Sequence, residues 1–546
     1  MWTTLVEWPP APSCALAKHS WGPPASNRHM SDSGTKPFWS GADTPRPLSP
    51  LEGDISTQVC IVGGGIGGLS TAYLLAKEGI GVTVLEARQI GHGETLRTTA
   101  HLASALDDGF AELERIHGDH FVKLAYQSHV EAIDEIEKIV SDLGVDCGFE
   151  RVNGYLCFPS LDGEDVFDKE VAAASRAGVA FEVMDAPPSS WGGHGKTIRF
   201  LNQAQFNPAP YLEALVIAIE RLGGKVYTGT RVEKFGADSL SVTTGAGFKV
   251  AAAAMVVATD SPIVDLLKIH TKQSAYRTYC IACEVPSGSV ERALYWDTED
   301  PYHYVRLTTL DNGLEAMIIG GEDHKTGQDH EPASRFAALE SWARAKFPSL
   351  GDLLTCWSGQ IMEPVDGLAF LGKNPGDDNL YVITGDSGHG ITHGTLGGMI
   401  IRDIMLGRTD GFMRLYDPAR KSIFSAGKFL AENANAAAQL IDWVRPGELK
   451  SEDDLEPGTG GILLSGLSKI AVYRQENGQI VTRTAVCPHL GCIVNWNYVE
   501  KSWDCPCHGS RFDTDGKVLN GPAMSPLVEV EIETGTQEPT LIGPAL

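Results

Sequence analysis

Six residues near the C-terminal end of the sequence have the types and the spacing of a metal site. They form two short clusters, each with one histidine and two cysteines: Cys487, His489 and Cys492, then Cys505, Cys507 and His508. Thiolate sulfur and imidazole nitrogen bind zinc and iron–sulfur centres. Zinc sites usually pair Cys-x2–4-Cys with His-x3–5-His, whereas each cluster here mixes the two residue types between Gly and Pro. The mixed pairs favour an iron–sulfur centre, and zinc is the alternative.

A second chemical motif is a glycine triplet that lies between a predicted strand at 58–62 and a predicted helix at 67–77. Gly63, Gly65 and Gly68 read G-x-G-x-x-G, and Glu86 ends the next predicted strand. The glycines permit a tight turn, close approach to a pyrophosphate and close packing of helix on strand. A carboxylate at the end of the second strand can accept hydrogen bonds from ribose hydroxyls. The order predicts a βαβ dinucleotide site, and a merely structural glycine turn is the alternative.

Two later segments favour FAD over NAD. Residues 255–260 resemble the strand that returns to the adenine in two-domain flavoproteins. Residues 380–395 resemble the closing segment of the D-amino-acid oxidase, sarcosine oxidase and glycine oxidase superfamily, which packs against the flavin ring. The resemblance covers roughly residues 54–425 and implies an α/β, Rossmann-like FAD-binding domain with an antiparallel-sheet substrate domain. The FAD-binding residues that it implies are Gly63, Gly65, Gly67, Gly68, Glu86, Thr98, Thr99, Ala258, Thr259, Gly385, Gly388, Gly390, Ile391 and Thr392.

The cysteine and histidine clusters resemble those of a Rieske [2Fe-2S] domain, a small all-β fold. The resemblance covers about residues 455–530, and residues 521–523 match the third, proline-containing segment, which covers the cluster. It implies that Cys487, His489, Cys505 and His508 are the ligands and that Cys492 and Cys507 form a disulfide. Respiratory members place a serine and a tyrosine after the second cluster as hydrogen-bond donors to sulfur. Ser510 is present here, but Phe512 stands at the tyrosine position, so we expect a mid-range potential.

The substrate side is less clearly marked. His101 could contact the substrate or be a structural histidine. Tyr304, Arg306 and His324 are candidates for substrate contact, with an ordinary sheet face as the alternative. No arginine lies in 357–367, where amino-acid oxidases carry one for the substrate carboxylate. Met317 or Ile318 stands where several members use a lysine to activate oxygen. We therefore expect a dehydrogenase rather than an oxidase.

Composition and patterning set the wider frame. Of 11 cysteines, seven are scattered, which argues against a disulfide-stapled secreted protein. We expect a cytoplasmic location, with organellar import as the alternative. The net charge of −26 disfavours nucleic acid and anionic lipid as partners, and no apolar run could span a bilayer. Cys280, Cys283 and Cys356 are possible flavin tethers or buried structural thiols. Helices are predicted over 129–143 and 397–406.

The predicted organisation has four parts. Residues 1–52 form a disordered extension, 53–425 the FAD-dependent oxidoreductase domain, 426–454 a helix and linker, and 455–546 the Rieske domain. We expect an enzyme that oxidises a C–N bond of an amine or N-substituted small molecule and passes electrons to the cluster, then to an external acceptor or partner protein. The alternatives are a reductase, a Rieske oxygenase and an electron-transfer protein without an amine substrate.

Overall fold

The computed structural model of the protein describes residues 35–531 apart from 42–43, 159–163, 238, 265–268, 311, 330, 410, 422–424 and 444. The strands are β1 Ile55–Val62, β2 Val82–Leu85, β3 His101–Leu102, β4 Glu150–Cys157, β5 Phe181–Met184, β6 Thr197–Gln205, β7 Lys225–Tyr227, β8 Val232–Phe235, β9 Ser241–Thr244, β10 Lys249–Asp260, β11 Gln273–Val285, β12 Leu294–Asp297, β13 His303–Thr309, β14 Glu315–Lys325, β15 Leu353–Pro364, β16 Phe370–Lys373, β17 Leu380–Thr384, β18 Thr459–Ser465, β19 Ser468–Arg474, β20 Ile480–Thr484, β21 Asn495–Asn497, β22 Ser502–Asp504, β23 Arg511–Phe512 and β24 Val518–Asn520. The α-helices are α1 Ile66–Lys77, α2 Phe110–His117, α3 Asp119–Leu143, α4 Glu164–Ala177, α5 Pro208–Arg221, α6 Pro332–Lys346, α7 Gly390–Met405, α8 Phe412–Leu415 and α9 Ala426–Ala438.

The first sheet has the order β16-β17-β10-β1-β2-β7 and is parallel from β17 to β7. Its strand β1 is buried from Val59 to Val62, as expected for a parallel sheet covered by helices. Helices α1 and α7 pack closely because α7 carries small residues at the contact. A Cβ on Gly398 would lie 2.9 Å from the Thr71 nitrogen. This is the βαβ arrangement that the glycine motif predicted.

The second sheet has the order β15-β11-β14-β13-β12-β4-β6-β3. Its pairings are antiparallel except for that of β12 with β4. One face packs on α6, with Phe336 and Leu339 buried against Ile319. The other face turns toward the first sheet, so a space between the two sheets can be lined by both.

The C-terminal part contains two small antiparallel sheets, β18-β19-β20 and β21-β22-β23-β24. Their shared core includes Trp503 and Phe512, which are 1% and 0% exposed, together with Cys487 and Cys505. Helix α9 lies in the predicted helix-and-linker segment. The metal-type residues therefore sit inside the apolar core of a small all-β unit.

Three expectations differ from the structure. The described part of the extension packs on the oxidoreductase domain: Trp39 is 4% exposed and donates its indole N–H to Thr98 O at 2.7 Å, while residues 1–34 lie outside the described range. Helix α3 starts at Asp119 rather than 129, because Val122 and Ala125 continue its buried face. Helix α7 starts at Gly390. In the described residues, no helix has the length and apolarity to cross a membrane.

Candidate functional site

The turn from β1 into α1 requires glycine at two positions. Gly63 has φ +114°, and a Cβ there would lie 2.2 Å from Ala258 O. A Cβ on Gly68 would lie 1.9 Å from Gly63 O. The turn therefore brings the first N–H groups of α1 to the mouth of the sheet, where they favour an anionic group such as a pyrophosphate.

Glu86 follows β2 and is anchored at the same turn. Its Oε2 accepts a hydrogen bond from Gly64 N at 2.7 Å, and its Oε1 accepts one from Arg88 N at 2.7 Å. A carboxylate can accept about four hydrogen bonds, so lone pairs remain for ribose hydroxyls. The placement fits the predicted role of Glu86.

A cavity of about 310 Å³ runs from this turn between the two sheets. It is lined by most of the predicted FAD residues: Gly63, Gly65, Gly67, Glu86, Thr98, Thr99, Ala258, Thr259, Gly385, Gly388, Gly390 and Ile391. Gly68 and Thr392 are not in the lining. Gly68 faces the turn, and the Thr392 hydroxyl donates to His389 O at 3.0 Å. None of Cys280, Cys283 and Cys356 lines the cavity.

Two of the four predicted substrate residues, His101 and Tyr304, line the cavity. Both ring nitrogens of His101 have partners, Thr99 Oγ1 at 3.0 Å and Val305 O at 3.3 Å. Burial and the nearby Arg306 cation lower the pKa of His101 to about 3, so its ring is neutral. The Tyr304 hydroxyl lies 2.8 Å from Thr278 Oγ1.

The other two predicted substrate residues lie outside the lining. Arg306 is 2% exposed, and its Nη1 donates to the carbonyls of Thr99, Ala100 and Phe206 at 3.1, 2.8 and 2.9 Å. Burial lowers the pKa of Arg306 to about 9. Arg306 therefore holds the segment that lines the cavity, in which Ala100 has φ +60°. His324 stacks on Tyr279 with ring centroids 5.6 Å apart.

Sequence reasoning missed a group of carboxyls at one end of the cavity, the acidic group: Asp107, Asp323, Glu363 and Asp386. Asp107 and Asp386 line the cavity, and Asp323 accepts from the hydroxyl of Tyr302, another lining residue, at 3.2 Å. Burial, followed by repulsion from neighbouring carboxylates, raises the pKa of Asp107 to about 7. Burial likewise raises the pKa of Asp386 to about 7 and that of Asp323 to about 6. Burial and then Asp107 raise the pKa of Glu363.

One signal for the acidic group was available in the sequence. Asp386 lies inside the glycine-rich segment that pointed to the flavin, directly after Gly385. Asp107 and Asp323 come from segments far apart in the chain, and only the fold brings them together. Three arginines line the cavity, Arg88, Arg97 and Arg231. Glu86 is among the charges that act on Arg88 and Arg231, so these two lie on the Glu86 side, while Arg97 donates to Ser358 O at 2.7 Å.

The predicted cluster ligands lie on two similar loops. In each loop a glycine N–H closes a turn onto a cysteine carbonyl, Gly491 onto Cys487 at 3.0 Å and Gly509 onto Cys505 at 3.2 Å. The two thiols contact each other, and this hydrogen bond lowers the pKa of Cys487. The rings of His489 and His508 have centroids 4.9 Å apart.

The remaining two cysteines join the loops. Cys492 and Cys507 form a disulfide, so neither sulfur is free to bind a metal although both lie near Cys505. Two thiols and two imidazoles remain, which is the donor set of a Rieske cluster, with two sulfur ligands for one iron and two nitrogen ligands for the other. The Ser510 hydroxyl contacts the Cys487 thiol and accepts from Ala523 N at 3.0 Å.

The imidazole side of this centre faces the oxidoreductase domain. His270, which precedes β11, is 3% exposed. Its ring centroid lies 5.1 Å from that of His489 and 6.3 Å from that of His508. The two domains therefore meet at the predicted cluster ligands.

Comparisons with known proteins match both domains. The sequence profile described as FAD dependent oxidoreductase matches residues 58–404, and the profile described as Rieske [2Fe-2S] domain matches residues 446–532. The YhfW protein of Bacillus subtilis (strain 168), whose name describes a Rieske 2Fe-2S iron-sulfur protein, is 28% identical over 516 residues, 93% of this chain and 100% of YhfW. Gamma-glutamylputrescine oxidoreductase of Escherichia coli (strain K12) is 23% identical over 391 residues, 69% of this chain and 89% of that protein.

Solved structures confirm the fold. Glycine oxidase from Geobacillus kaustophilus superposes with a TM-score of 0.56 at 20% identity and covers 67% of this chain and 99% of its own. The predicted fold class and the predicted cofactors, FAD and one [2Fe-2S] cluster, are confirmed. Because the first profile spans more than half of the sequence, the chain belongs to the FAD dependent oxidoreductase family, and it carries a C-terminal Rieske [2Fe-2S] domain.

Proposed function

We propose that the protein is a dehydrogenase that oxidises the C–N bond of a cationic amine or N-substituted small molecule and delivers the electrons through the Rieske domain to an external acceptor. In this reaction the cationic nitrogen first loses a proton, the adjacent C–H bond then breaks and an iminium ion forms, so two electrons and two protons leave the substrate. When bound, FAD supplies the two-electron oxidation and the [2Fe-2S] cluster supplies one-electron transfer.

The observation that carries the substrate class is the acidic group. Asp107 accepts no hydrogen bond from the described part of the chain, although it lines the cavity and three neighbouring carboxyls, Asp108, Asp323 and Asp386, repel its charge. The cation that acts on it is Lys428, which is 46% exposed and lies 4.0 Å from Asp108 Oδ1. Crowded carboxylates that have only a half-exposed lysine beside them are stabilised further by a cationic ligand. The same carboxylates would repel the free carboxylate of an amino acid.

The acidic group can also handle a proton. An ammonium nitrogen must lose its proton before the adjacent C–H bond can be oxidised. A general base works best with a pKa near the operating pH, and the pKa of Asp107 is raised to about 7 by burial and then by Asp108. We assign Asp107 as the residue that binds the ammonium group and takes its proton.

A dehydrogenase is favoured because no lysine lines the cavity in the described residues. Met317 and Ile318, at the position where several relatives use a lysine, are both 0% exposed and belong to apolar cores. A nearby cation would stabilise superoxide. The absence of such a lysine among the described lining residues favours electron transfer to the Rieske domain. The predicted imidazole ligand His489 of that domain contacts His270 of the oxidoreductase domain.

The test is an anaerobic titration of the holoprotein with amines, diamines and amino acids. Flavin absorbance reports substrate oxidation, and the EPR signal of the reduced cluster reports the onward transfer. We expect amines to bleach the flavin and then reduce the cluster, while amino acids with a free carboxylate leave both unchanged. Bleaching by amino acids alone would refute the substrate class, and a bleached flavin beside an oxidised cluster would refute the electron path.

A further inference from the structure

One wall of the FAD cavity belongs to the other domain. The cavity lining continues into the Rieske domain at the proline loop, residues 519–524, of which Leu519, Asn520, Gly521, Ala523 and Met524 line the cavity. The family profile for the oxidoreductase ends at residue 404. This loop is therefore outside the part of the chain that the family resemblance assigns to FAD.

Polar contacts hold the proline loop against residues that also line the cavity. Asn520 Nδ2 donates to Glu94 Oε1 at 2.8 Å, and Arg231 Nη2 donates to Val518 O at 2.8 Å. A Cβ on Gly521 would lie 3.2 Å from Ile263 Cγ2. The loop is thus in direct contact with the oxidoreductase domain at the edge of the cavity.

Gln360 adds an independent sign that a ligand reaches this wall. It is 2% exposed and lines the cavity, and its Nε2 has no hydrogen-bond partner among the described residues. A Cβ on Gly509, next to the predicted ligand His508, would lie 3.1 Å from that Nε2. A buried amide donor is unfavourable without an acceptor, so a ligand in the cavity is its natural partner.

The docking of the two domains is secured by a buried ion network, the docking network: Glu500, Asp504, Arg97, Arg277 and Arg511. The Glu500 side chain is 5% exposed and lies 3.4, 3.8 and 3.6 Å from the three guanidinium groups. Its Oε1 also accepts from Ser358 Oγ at 2.7 Å. The proline loop is therefore held over the cavity by more than its own contacts.

We propose that the proline loop of the Rieske domain forms part of the FAD site, so that FAD enters and leaves only when the Rieske domain moves away from the oxidoreductase domain. The Rieske domain is then a structural component of the flavin site as well as an electron carrier. This proposal depends on the presence of FAD and is independent of the substrate.

Hydrogen–deuterium exchange tests the contact in the full chain with its cluster in place. We expect FAD added to FAD-depleted protein to slow exchange at the amides of residues 519–521 and 523–524, together with those of residues 63–67. The turn at residues 475–478, in the same domain and away from the cavity, should be unchanged. Protection confined to the oxidoreductase domain would overturn the proposal.

A matched pair of variants tests whether the proline loop controls the release of FAD. Asn520→Ala removes the contact with Glu94, and Asn477→Ala makes the same change in an exposed turn, where Asn477 caps Gln479 N at 2.9 Å. We expect Asn520→Ala to release FAD about tenfold faster, the effect of one lost hydrogen bond to a carboxylate, as followed by flavin fluorescence. Cluster absorbance should be equal in both variants. Equal rates of FAD release in the two variants would refute this control by the proline loop.

Discussion

Two regions of this protein bring carboxyl groups close together, with opposite consequences. The Glu500 side chain is enclosed by protein, whereas Asp107 is exposed at the cavity. In the docking network, burial alone would raise the pKa of Glu500, but attraction to Arg97, Arg277 and Arg511 outweighs it and lowers that pKa. In the acidic group, burial and like charges act together and raise the pKa of Asp107 to about 7. In the first region three guanidinium groups lie around Glu500, whereas in the second the cation that acts on Asp107 is the half-exposed Lys428.

The difference separates a structural from a functional use of charge. A buried charge with fixed partners holds two surfaces together, and its removal leaves the partners uncompensated. A carboxylate crowded by like charges at a cavity is unfavourable for folding and is kept where a ligand supplies further positive charge. Glu500 and Asp107 therefore make a natural pair of test positions.

The largest effect is expected in the docking network. Glu500→Gln leaves the buried guanidinium groups of Arg277 and Arg511, and the partly buried one of Arg97, with one carboxylate fewer. We therefore expect the free energy of unfolding to fall by about 3–5 kcal/mol. Thermal and denaturant unfolding measure it. Glu476→Gln, in an exposed turn of the same domain, should change stability by less than about 0.5 kcal/mol. If Glu500→Gln and Glu476→Gln had the same free energy of unfolding, the docking network would contribute no net stability to the contact between the domains.

A smaller effect is expected in the acidic group, where substrate binding is the quantity to measure. Asp107→Asn removes the proposed ammonium ligand, so KM for the amine should rise about ten- to a hundredfold, the value of one charge-assisted contact. Steady-state kinetics with an artificial acceptor measures it. Asp378→Asn, whose side chain is 97% exposed, is the control. An unchanged KM in Asp107→Asn would remove Asp107 from the amine site.

The pH dependence should also differ between the two regions. The pKa of Asp107 is higher in the folded protein than in the unfolded chain. The ligand-free protein should therefore lose stability as the pH rises from about 4 to about 7. A quaternary ammonium ion, which has no proton of its own, should bind about tenfold more tightly per pH unit until about pH 7. Neighbouring Asp108, Asp323, Asp386 and Lys428 modulate the slope.

Glu500 gives the opposite sign. Because its folded-state pKa is lowered, its stabilisation is present above about pH 4 and is lost as pH falls through the folded-state value. Flavin absorbance during a titration with the quaternary ion, in the wild type and in Asp107→Asn, separates the two regions. If the affinity of Asp107→Asn for the quaternary ion changed with pH as it does in the wild type, the titrating group would be another carboxyl.

The local parts of both sites were predictable from the sequence. The glycine turn at Gly63 and the paired loops at Cys487 and Cys505 are set by residues close together in the chain, where spacing alone constrains geometry. The strand β13 shows the limit. Tyr304 and Arg306 lie two residues apart and so share one face of the strand. Only the fold shows that the first reaches the cavity while the second binds backbone carbonyls.

The missed features depend on contacts between distant segments. Asp107, Asp323 and Asp386 come from three separate loops and strands, and the proline loop meets Glu94 across more than 400 residues. Trp39 was placed in a disordered extension because a short segment rich in Pro and Ser carries no periodic pattern. Its pocket beside Thr98 is formed by the folded domain.

The smallest expected effect concerns the cluster potential. Phe512 is 0% exposed and shares the apolar core of Cys487 and Cys505, and it stands at the position where the resemblance implies a tyrosine donor to cluster sulfur. Phe512→Tyr should raise the midpoint potential by roughly 40 mV, the equivalent of one hydrogen bond of about 1 kcal/mol for a one-electron couple. Ser510→Ala, which removes the hydroxyl in contact with Cys487, should lower it by a similar amount. A redox titration followed by EPR measures both, and an unchanged potential in Phe512→Tyr would show that this ring does not occupy the donor position.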